Sequence, residues 1–366
     1  MKSNLSNLNP SKHTSGAGFP SKSPSKSRLS SSSQSKIEKA ASKKAQREAE
    51  AKKLAEGYKR FNIKHAPRTD NRRRFRHFID RINKRQWALL SDSCARQLKY
   101  NSRDISLYEL VNYFQQEFGG KTLTHMEVMT AVGGRFPDDG PVGARLRVRS
   151  SPPSNDGVVT IAPRKSTEYA RHMLVYFNDK FEICEICDIC DTSTAQPSAS
   201  GAVQKIPSLP TLRPPPPRAS IDMPEFFTNY LTTINDTFGG LQDGGKALHD
   251  FCKPPPETSE PNAPSVSWNG VKLRIPQFCS LSRDVFDHFA ELEIRAHTVL
   301  HHEKRQMLFV RTEYEGRLIR PFAGAMPSGR SAQWSELSVY WLEQGKISHV
   351  LSVTDWEELR RQMGAA

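Results

Sequence analysis

The feature that most limits what this chain can fold into is an internal repeat. An aromatic–Asn–small triplet occurs as "YNS" at Tyr100 and again as "WNG" at Trp268, and each is followed by an amphipathic helical segment. The distance from Asn101 to Lys180 is 79 positions and that from Asn269 to Lys346 is 77, although the intervening sequences differ. Nearly equal spacing between unlike sequences implies one architecture used twice. A Pro- and Ser-rich stretch ending in "RPPPPRAS" separates the copies. Consecutive prolines favour extended geometry, so residues 193–220 are expected to be a semi-rigid linker between a first domain at 71–192 and a second at 221–366.

Each copy begins with helical spacing and then alternates. In the first, Phe75, Phe78, Ile79 and Ile82, followed by Trp87, Leu89 and Leu90, recur at helical intervals; in the second, Phe227, Tyr230, Leu231, Ile234 and Phe238 do so. Ser106 and Glu109 stand at capping-box spacing ahead of "LYELVNYF". The period-two segments that follow predict antiparallel hairpins. They are "THMEVMTAVGG", "GARLRVRSS", "GVVTIAPRK", "YARHMLVYFND" and "KFEICEICD" in the first copy, and "LEIRAHTVLHH", "RQMLFVRTEYEG", "QWSELSVYWLEQ" and "GKISHVLSVTD" in the second. Helices first and strands afterwards give an α+β class: two tandem domains, each with N-terminal helices packed on a curved antiparallel sheet that leaves a pocket at one end.

The net charge of +14 belongs to the N-terminus. Through Arg74 there are 19 basic and 5 acidic residues, which leaves 34 of each sign for the remainder. Residues 1–70 therefore read as a disordered basic tail, with an exposed basic helix expected over 36–60. Contact with nucleic acid is expected only through this tail, joined by the basic patch Arg72, Arg73, Arg74 and Arg76, for which a solvated flank is the competing reading. Lys outnumbers Arg in the first 35 residues and no apolar stripe forms, which favours a solvated tail over a mitochondrial transit peptide. Apolar runs such as "MLVYF" are too short for a membrane span. Six cysteines without an apolar leader core suggest free thiols and an intracellular setting, cytoplasmic or nuclear, with mitochondrial import as the alternative.

The closing residues carry a resemblance. The turn triplets, "FAGAMPSGRSAQWSELSVYWLEQGKI" and the terminal "DWEELRRQMG" resemble the SnoaL-like polyketide cyclase group of the nuclear-transport-factor-2-like superfamily, more closely in the second copy than in the first. The resemblance implies a cone-shaped α+β fold, and a carboxylate on the last strand that removes a proton beside a carbonyl with help from a His on the adjacent strand. An apolar pocket raises such a carboxylate's pKa toward the working pH. Counting from the last turn puts the Asp position at Ser352 and the His position at Ser338 in the second copy, so the usual pair is missing there. In the first copy the same count gives His172 and Ile186, and a register slip of one residue brings Glu185 to the pocket face. Asp355 reads as the N-cap of a terminal helix that carries Glu357 and Glu358 in its first turn.

Candidate pocket residues are therefore Trp334, Glu336, Ser338, Tyr340 and Ser352 in the second copy, with His172 and Tyr176 in the first; Glu336 is the only carboxylate among them. A His on an apolar face also reads as a satisfied core residue. "CEICDIC" has metal-like spacing, but a strand would turn Cys187 away from Cys184 and Cys190. His297 and His301 sit in a run of β character. No P-loop, dinucleotide fingerprint or nucleophile elbow is present, and neither a cofactor nor a metal is expected. The partners expected are a small apolar ligand and either an intramolecular pseudo-dimer or a homodimer. Three functional readings stand: a ligand-binding or interaction protein lacking the usual acid–base pair, a cyclase or isomerase with relocated catalytic residues, and a nucleic-acid-associated adaptor.

Overall fold

A computed structural model describes residues 70–120, 123–134, 140–151, 167–191, 206–207, 209, 221–238, 248–254 and 265–364. The expected tail, its helix at 36–60, most of the expected linker and the "GVVTIAPRK" strand lie outside the described residues.

Helix α1 (Asn71–Asn83) is capped by Asp70, whose side chain accepts from the Arg72 amide at 3.0 Å, and it buries Phe75, Phe78, Ile79 and Ile82. The apolar spacing beyond it does not continue the helix. Arg85 takes a left-handed conformation (φ 55°), which ends the helical run; Trp87–Asp92 form a short 3-10 turn and Cys94–Tyr100 become strand β1. A tight turn at Asn101 and Ser102 (φ 47° and 65°) returns the chain into β2 (Arg103–Ser106). Two successive positive-φ residues match the right-handed twist of a hairpin, and Asn tolerates that conformation. Helix α2 (Leu107–Phe118) then starts on the expected capping box: the Glu109 amide donates to Ser106 Oγ at 3.3 Å and the Ser106 amide donates to Glu109 Oε2 at 2.7 Å.

Four longer strands complete the first half: β3 (Leu123–Gly133), β4 (Val142–Ser151), β5 (Thr167–Phe177) and β6 (Ile183–Cys190). The second half repeats the plan. Helix α3 (Met223–Phe238) precedes the hairpin β7 (Val266–Trp268) and β8 (Val271–Leu273), which turns at Asn269 and Gly270 (φ 47° and 84°). Helix α4 (Ile275–His288), β9 (Phe289–His302), β10 (Met307–Leu318), β11 (Ser331–Glu343), β12 (Lys346–Thr354) and helix α5 (Trp356–Gln362) follow. Asp355 caps α5 by accepting from the Glu358 amide at 2.9 Å.

The two sheets have the same order, β2-β1-β6-β5-β4-β3 and β8-β7-β12-β11-β10-β9. The expected all-antiparallel sheet is corrected at one point: β1 runs parallel to β6 and β7 parallel to β12. The helix after each hairpin and the long strands after that helix bring the last strand back beside the first. An Asn side chain locks each junction like a fragment of strand. Asn101 donates to the Asp188 carbonyl at 2.9 Å and accepts from the Asp188 amide at 2.7 Å; Asn269 does the same to Ser352 at 3.2 and 2.8 Å. Asp188 and Ser352 are therefore equivalent positions.

Each half has its own core between helices and sheet, and a third apolar cluster lies between the two sheets. Their outer faces meet through Leu174, Cys187 and Ile189 from one and Phe309, Leu337 and Val339 from the other. At Gly143 an added Cβ would stand 2.1 Å from the Phe309 ring, so the missing side chain sets how closely β4 approaches β10. Ile206 is buried in this cluster and Leu209 packs against it. At these positions the expected spacer is part of the packed structure, because two apolar side chains interrupt its Pro and Ser.

Candidate ligand cavity

Inside the second half the sheet's concave face, α3 and α4 enclose a cavity of about 1070 Å³ that continues to the end of β6 and to α2 of the first half. Its wall is aromatic: Tyr230, Trp268, Phe278, Tyr314, Tyr340 and Trp356 all contribute. Tyr314 is held by stacking on Trp334, with ring centroids 5.3 Å apart and planes 13° from parallel, and Trp334 in turn packs on Phe289 at 4.7 Å. Such ring pairs add to their area burial and hold each other's orientation.

One carboxylate stands in this wall. Glu336, 6% exposed, accepts from Tyr314 Oη at 3.2 Å, from Thr354 Oγ1 at 3.0 Å and from Ser338 Oγ. Burial raises its pKa above the ordinary carboxylate range, and the three hydroxyl donors offset part of that rise. The Tyr314 and Tyr340 phenols are pushed well above their usual range, by burial first and then by the Glu336 charge. The hydrogen bonds of Glu336 come from hydroxyl groups, and among the described residues no cation pairs with it. The N-cap Asp355 also reaches the wall, and burial raises its pKa.

The equivalent place in the first half is filled. Opposite Asp188 stands Met173, as Ser338 stands opposite Ser352, which makes Arg171 the counterpart of Glu336. Arg171 is fully buried and grips Asp188 with two nitrogens, Nε to Oδ1 at 2.6 Å and Nη2 to Oδ2. It also donates to Glu117 Oε1 at 2.7 Å, while Tyr100 Oη donates to Asp188 Oδ2 at 2.6 Å and Tyr169 Oη to Glu117 at 3.0 Å. Burial opposes the Arg171 charge most strongly, but Asp188, Cys190 and Glu117 together outweigh it and hold the guanidinium well above its usual range. Phe114 and Phe118 lie against the guanidinium, 5.9 and 5.5 Å from their ring centroids.

This register corrects three expectations for the first half. The last turn has five residues there (178–182, between Phe177 and Ile183) against two in the second half, Gln344 and Gly345. Between facing positions the first half is only one residue longer, 15 from Met173 to Asp188 against 14 from Ser338 to Ser352, and Glu182 rather than Lys180 matches Lys346; the count from Lys180 falls two short on β6, and the Asp position is Asp188 rather than Ile186. His172 and Tyr176 do not line the cavity but face the other sheet. His172 Nδ1 donates to the Leu337 carbonyl at 2.5 Å and its Nε2 accepts from Arg145 at 2.7 Å; burial, then the Arg145 charge, holds its pKa well below the usual imidazole range. Tyr176 Oη shares a hydrogen bond with Thr298 of the second half at 2.6 Å. Glu185 is 3.6 Å from Arg311 across the same interface, so the alternative slip does not bring it to the pocket either.

In the second half Glu336, Tyr340 and Ser352 are on the cavity wall, while Ser338 and Trp334 stand behind it and orient Glu336 and Tyr314. A count along the last strand does not single out Tyr230, Tyr314 or Thr354. The alternation of "RTEYEG" against "QWSE" is the available signal, since Tyr314 pairs directly with Trp334.

The remaining candidates are structural in their contacts. Arg72 pairs with Asp70, Arg74 lies 4.7 Å from the Phe181 ring centroid, and Arg73 and Arg76 are exposed on α1. "CEICDIC" is strand β6, with Cys187 turned to the other sheet and accepting from Arg311 at 2.9 Å; burial pushes its thiol up to about 12. His297 and His301 are exposed on β9. Among the described residues no group of His, Cys, Asp and Glu has metal-binding geometry, and no helix is long and apolar enough to cross a membrane.

No family model and no curated protein matches the sequence. Among solved structures the chain is similar to a SnoaL-like polyketide cyclase from Agrobacterium tumefaciens, with 21% identity over 40% of this chain and 100% of that one and a TM-score of 0.33. It is similar to TsrD from Streptomyces laurentii, with 18% identity over 40% and 100% and a TM-score of 0.32. An NTF2-like protein of unknown function from Exiguobacterium shows 14% identity over 36% and 98%, with a TM-score of 0.27.

Proposed function

We propose that this protein binds a small, largely apolar molecule in the second half, and that the first half is a structural partner whose corresponding interior is filled by an ion pair that borders the far end of the cavity. The contrast at one equivalent position carries the reading: Arg171 and Asp188 fill the first interior with an ion pair, whereas Glu336 borders an aromatic cavity in the second. In this reading the halves are two domains, 71–192 and 221–366, joined through residues 193–220. They form an intramolecular pair, supported by the meeting of equivalent strand positions at His172 and Leu337, as expected near a pseudo-two-fold axis. The acid–base pair that the sequence resemblance implies is absent from the second domain, where both positions are serine. In the first domain the carboxylate position remains as Asp188, bound to a guanidinium, and the His position is Met173.

Native mass spectrometry of the full-length purified chain, followed by denaturation, tests this reading. The expected result is one small molecule released per chain; a protein that is folded, empty and unable to take up any apolar compound contradicts it.

A second reading is proton transfer next to a carbonyl. It is favoured by the buried carboxylate of Glu336, whose raised pKa suits a general base. Here Glu336→Gln would abolish turnover of the released molecule or a derivative of it while binding persisted. The nucleic-acid reading rests on the tail, outside the described residues.

A further inference from the structure

The charge on the cavity wall narrows the class of ligand, given the binding reading above. The wall carries one guanidinium, Arg360, which donates to the Ala323 carbonyl at 3.0 Å. Against it stand Glu336 inside and Asp284, Asp355 and Glu357 at the rim, while Glu117 and Asp188, toward the first domain, already share the Arg171 guanidinium. A low-dielectric recess lined by one sign of charge concentrates ions of the opposite sign.

Deeper in, Glu336 is a carboxylate served only by neutral donors. Two carboxylate oxygens offer about four acceptor directions, and Ser338, Tyr314 and Thr354 occupy three of them. Tyr230, Tyr314 and Tyr340 stand around it on the cavity wall. Aromatic rings about a buried carboxylate are the arrangement that desolvates and holds an organic ammonium, through the ring quadrupoles and one charge-assisted hydrogen bond. A ligand bearing a carboxylate or phosphate would meet the same wall with repulsion and no cationic partner inside.

We propose that the ligand is an organic cation: an apolar, ring-bearing body with a protonated amine that pairs with Glu336. The amine completes the carboxylate's hydrogen bonding and supplies the positive charge that the wall around it lacks, while the body fills the aromatic recess.

The test is isothermal titration of the full-length chain with three probes of one shape: naphthylmethylamine, naphthylmethanol and naphthalene carboxylate. The amine should bind about tenfold or more tighter than the alcohol, and the carboxylate more weakly than both. Glu336→Gln should remove the preference of amine over alcohol and leave the alcohol's affinity within about twofold. Should that variant not fold, the exposed pair Asp284→Asn with Glu357→Gln should weaken the amine severalfold at low salt, with the effect fading as salt is raised, and leave the alcohol unchanged. Alcohol binding as tight as amine binding, or a Glu336→Gln loss shared equally by both, overturns the inference and leaves the pocket reading intact. Failure of all three probes to bind counts against both.

Discussion

The two halves share a strand order, a hairpin lock and a helix plan, yet they resolve the same interior in opposite ways. In the first, Arg171 reaches across to Asp188, and Phe114 and Phe118 of α2 lie against its guanidinium. In the second, the residue at the Arg171 position is Glu336, the residue at the Asp188 position is Ser352, and the freed volume is lined by tyrosine and tryptophan. The comparison shows what a cone fold fixes and what it leaves open. Its sheet and hairpin set where side chains converge, and two residues on adjacent strands decide whether that place is core or cavity.

The largest effect should come from splitting the first half's ion pair. Arg171→Met leaves the buried Asp188 carboxylate unpaired and should cost about 3–5 kcal/mol in denaturant unfolding, and Asp188→Leu, which leaves Arg171 its bond to Glu117, should cost less. The double substitution should recover much of that loss, because the buried carboxylate is gone and the one charge left without its partner, Glu117, is partly exposed. Next comes the seam between the sheets. Gly143→Ala drives a methyl into the Phe309 ring and should cost up to about 3 kcal/mol by overpacking, while the ligand cavity, on the opposite face of the sheet, keeps its affinity.

The hairpin locks should behave alike in the two halves. Asn101→Ala and Asn269→Ala each remove two hydrogen bonds to a strand backbone, and each should cost about 2 kcal/mol. A marked inequality in urea titrations would show that the halves are less equivalent than their topology. The smallest effect is a dependence on pH. Glu336 has a raised pKa in the folded state, so its burial costs nothing where both folded and unfolded forms are protonated. The cost grows as pH rises from the ordinary carboxylate range through the folded-state value. Wild-type stability measured relative to Glu336→Gln should therefore fall as pH rises from acid toward neutral. A flat difference would mean that Glu336 titrates normally.

Much of this fold is legible in the amino-acid sequence. The repeated Asn turns mark both hairpins, and Ser106 with Glu109 and Asp355 with its following glutamates mark two helix starts, because capping depends on local spacing. The α+β order follows from the change of hydrophobic period. What depends on cross-strand register is harder to read. The connection from β5 to β6 is one residue longer and Glu182, not Lys180, matches Lys346, so the count arrives at Ile186 when the site belongs to Asp188. His172 and Tyr176 share a face, as alternation requires, but alternation alone does not say which face is the interior. Arg171, on the same face as Met173 and Val175, is the available signal, since an arginine on an apolar interior face needs a partner across the strand.

The most direct measurement compares naphthylmethanol stoichiometry in the wild type and in Ser352→Phe, a substitution that puts a ring into the second cavity and leaves the first half untouched. Native mass spectrometry of the full chain should show one molecule bound to the wild type and none to the folded variant. Unchanged binding in Ser352→Phe, or two molecules on the wild type, would contradict the assignment of one open and one filled interior.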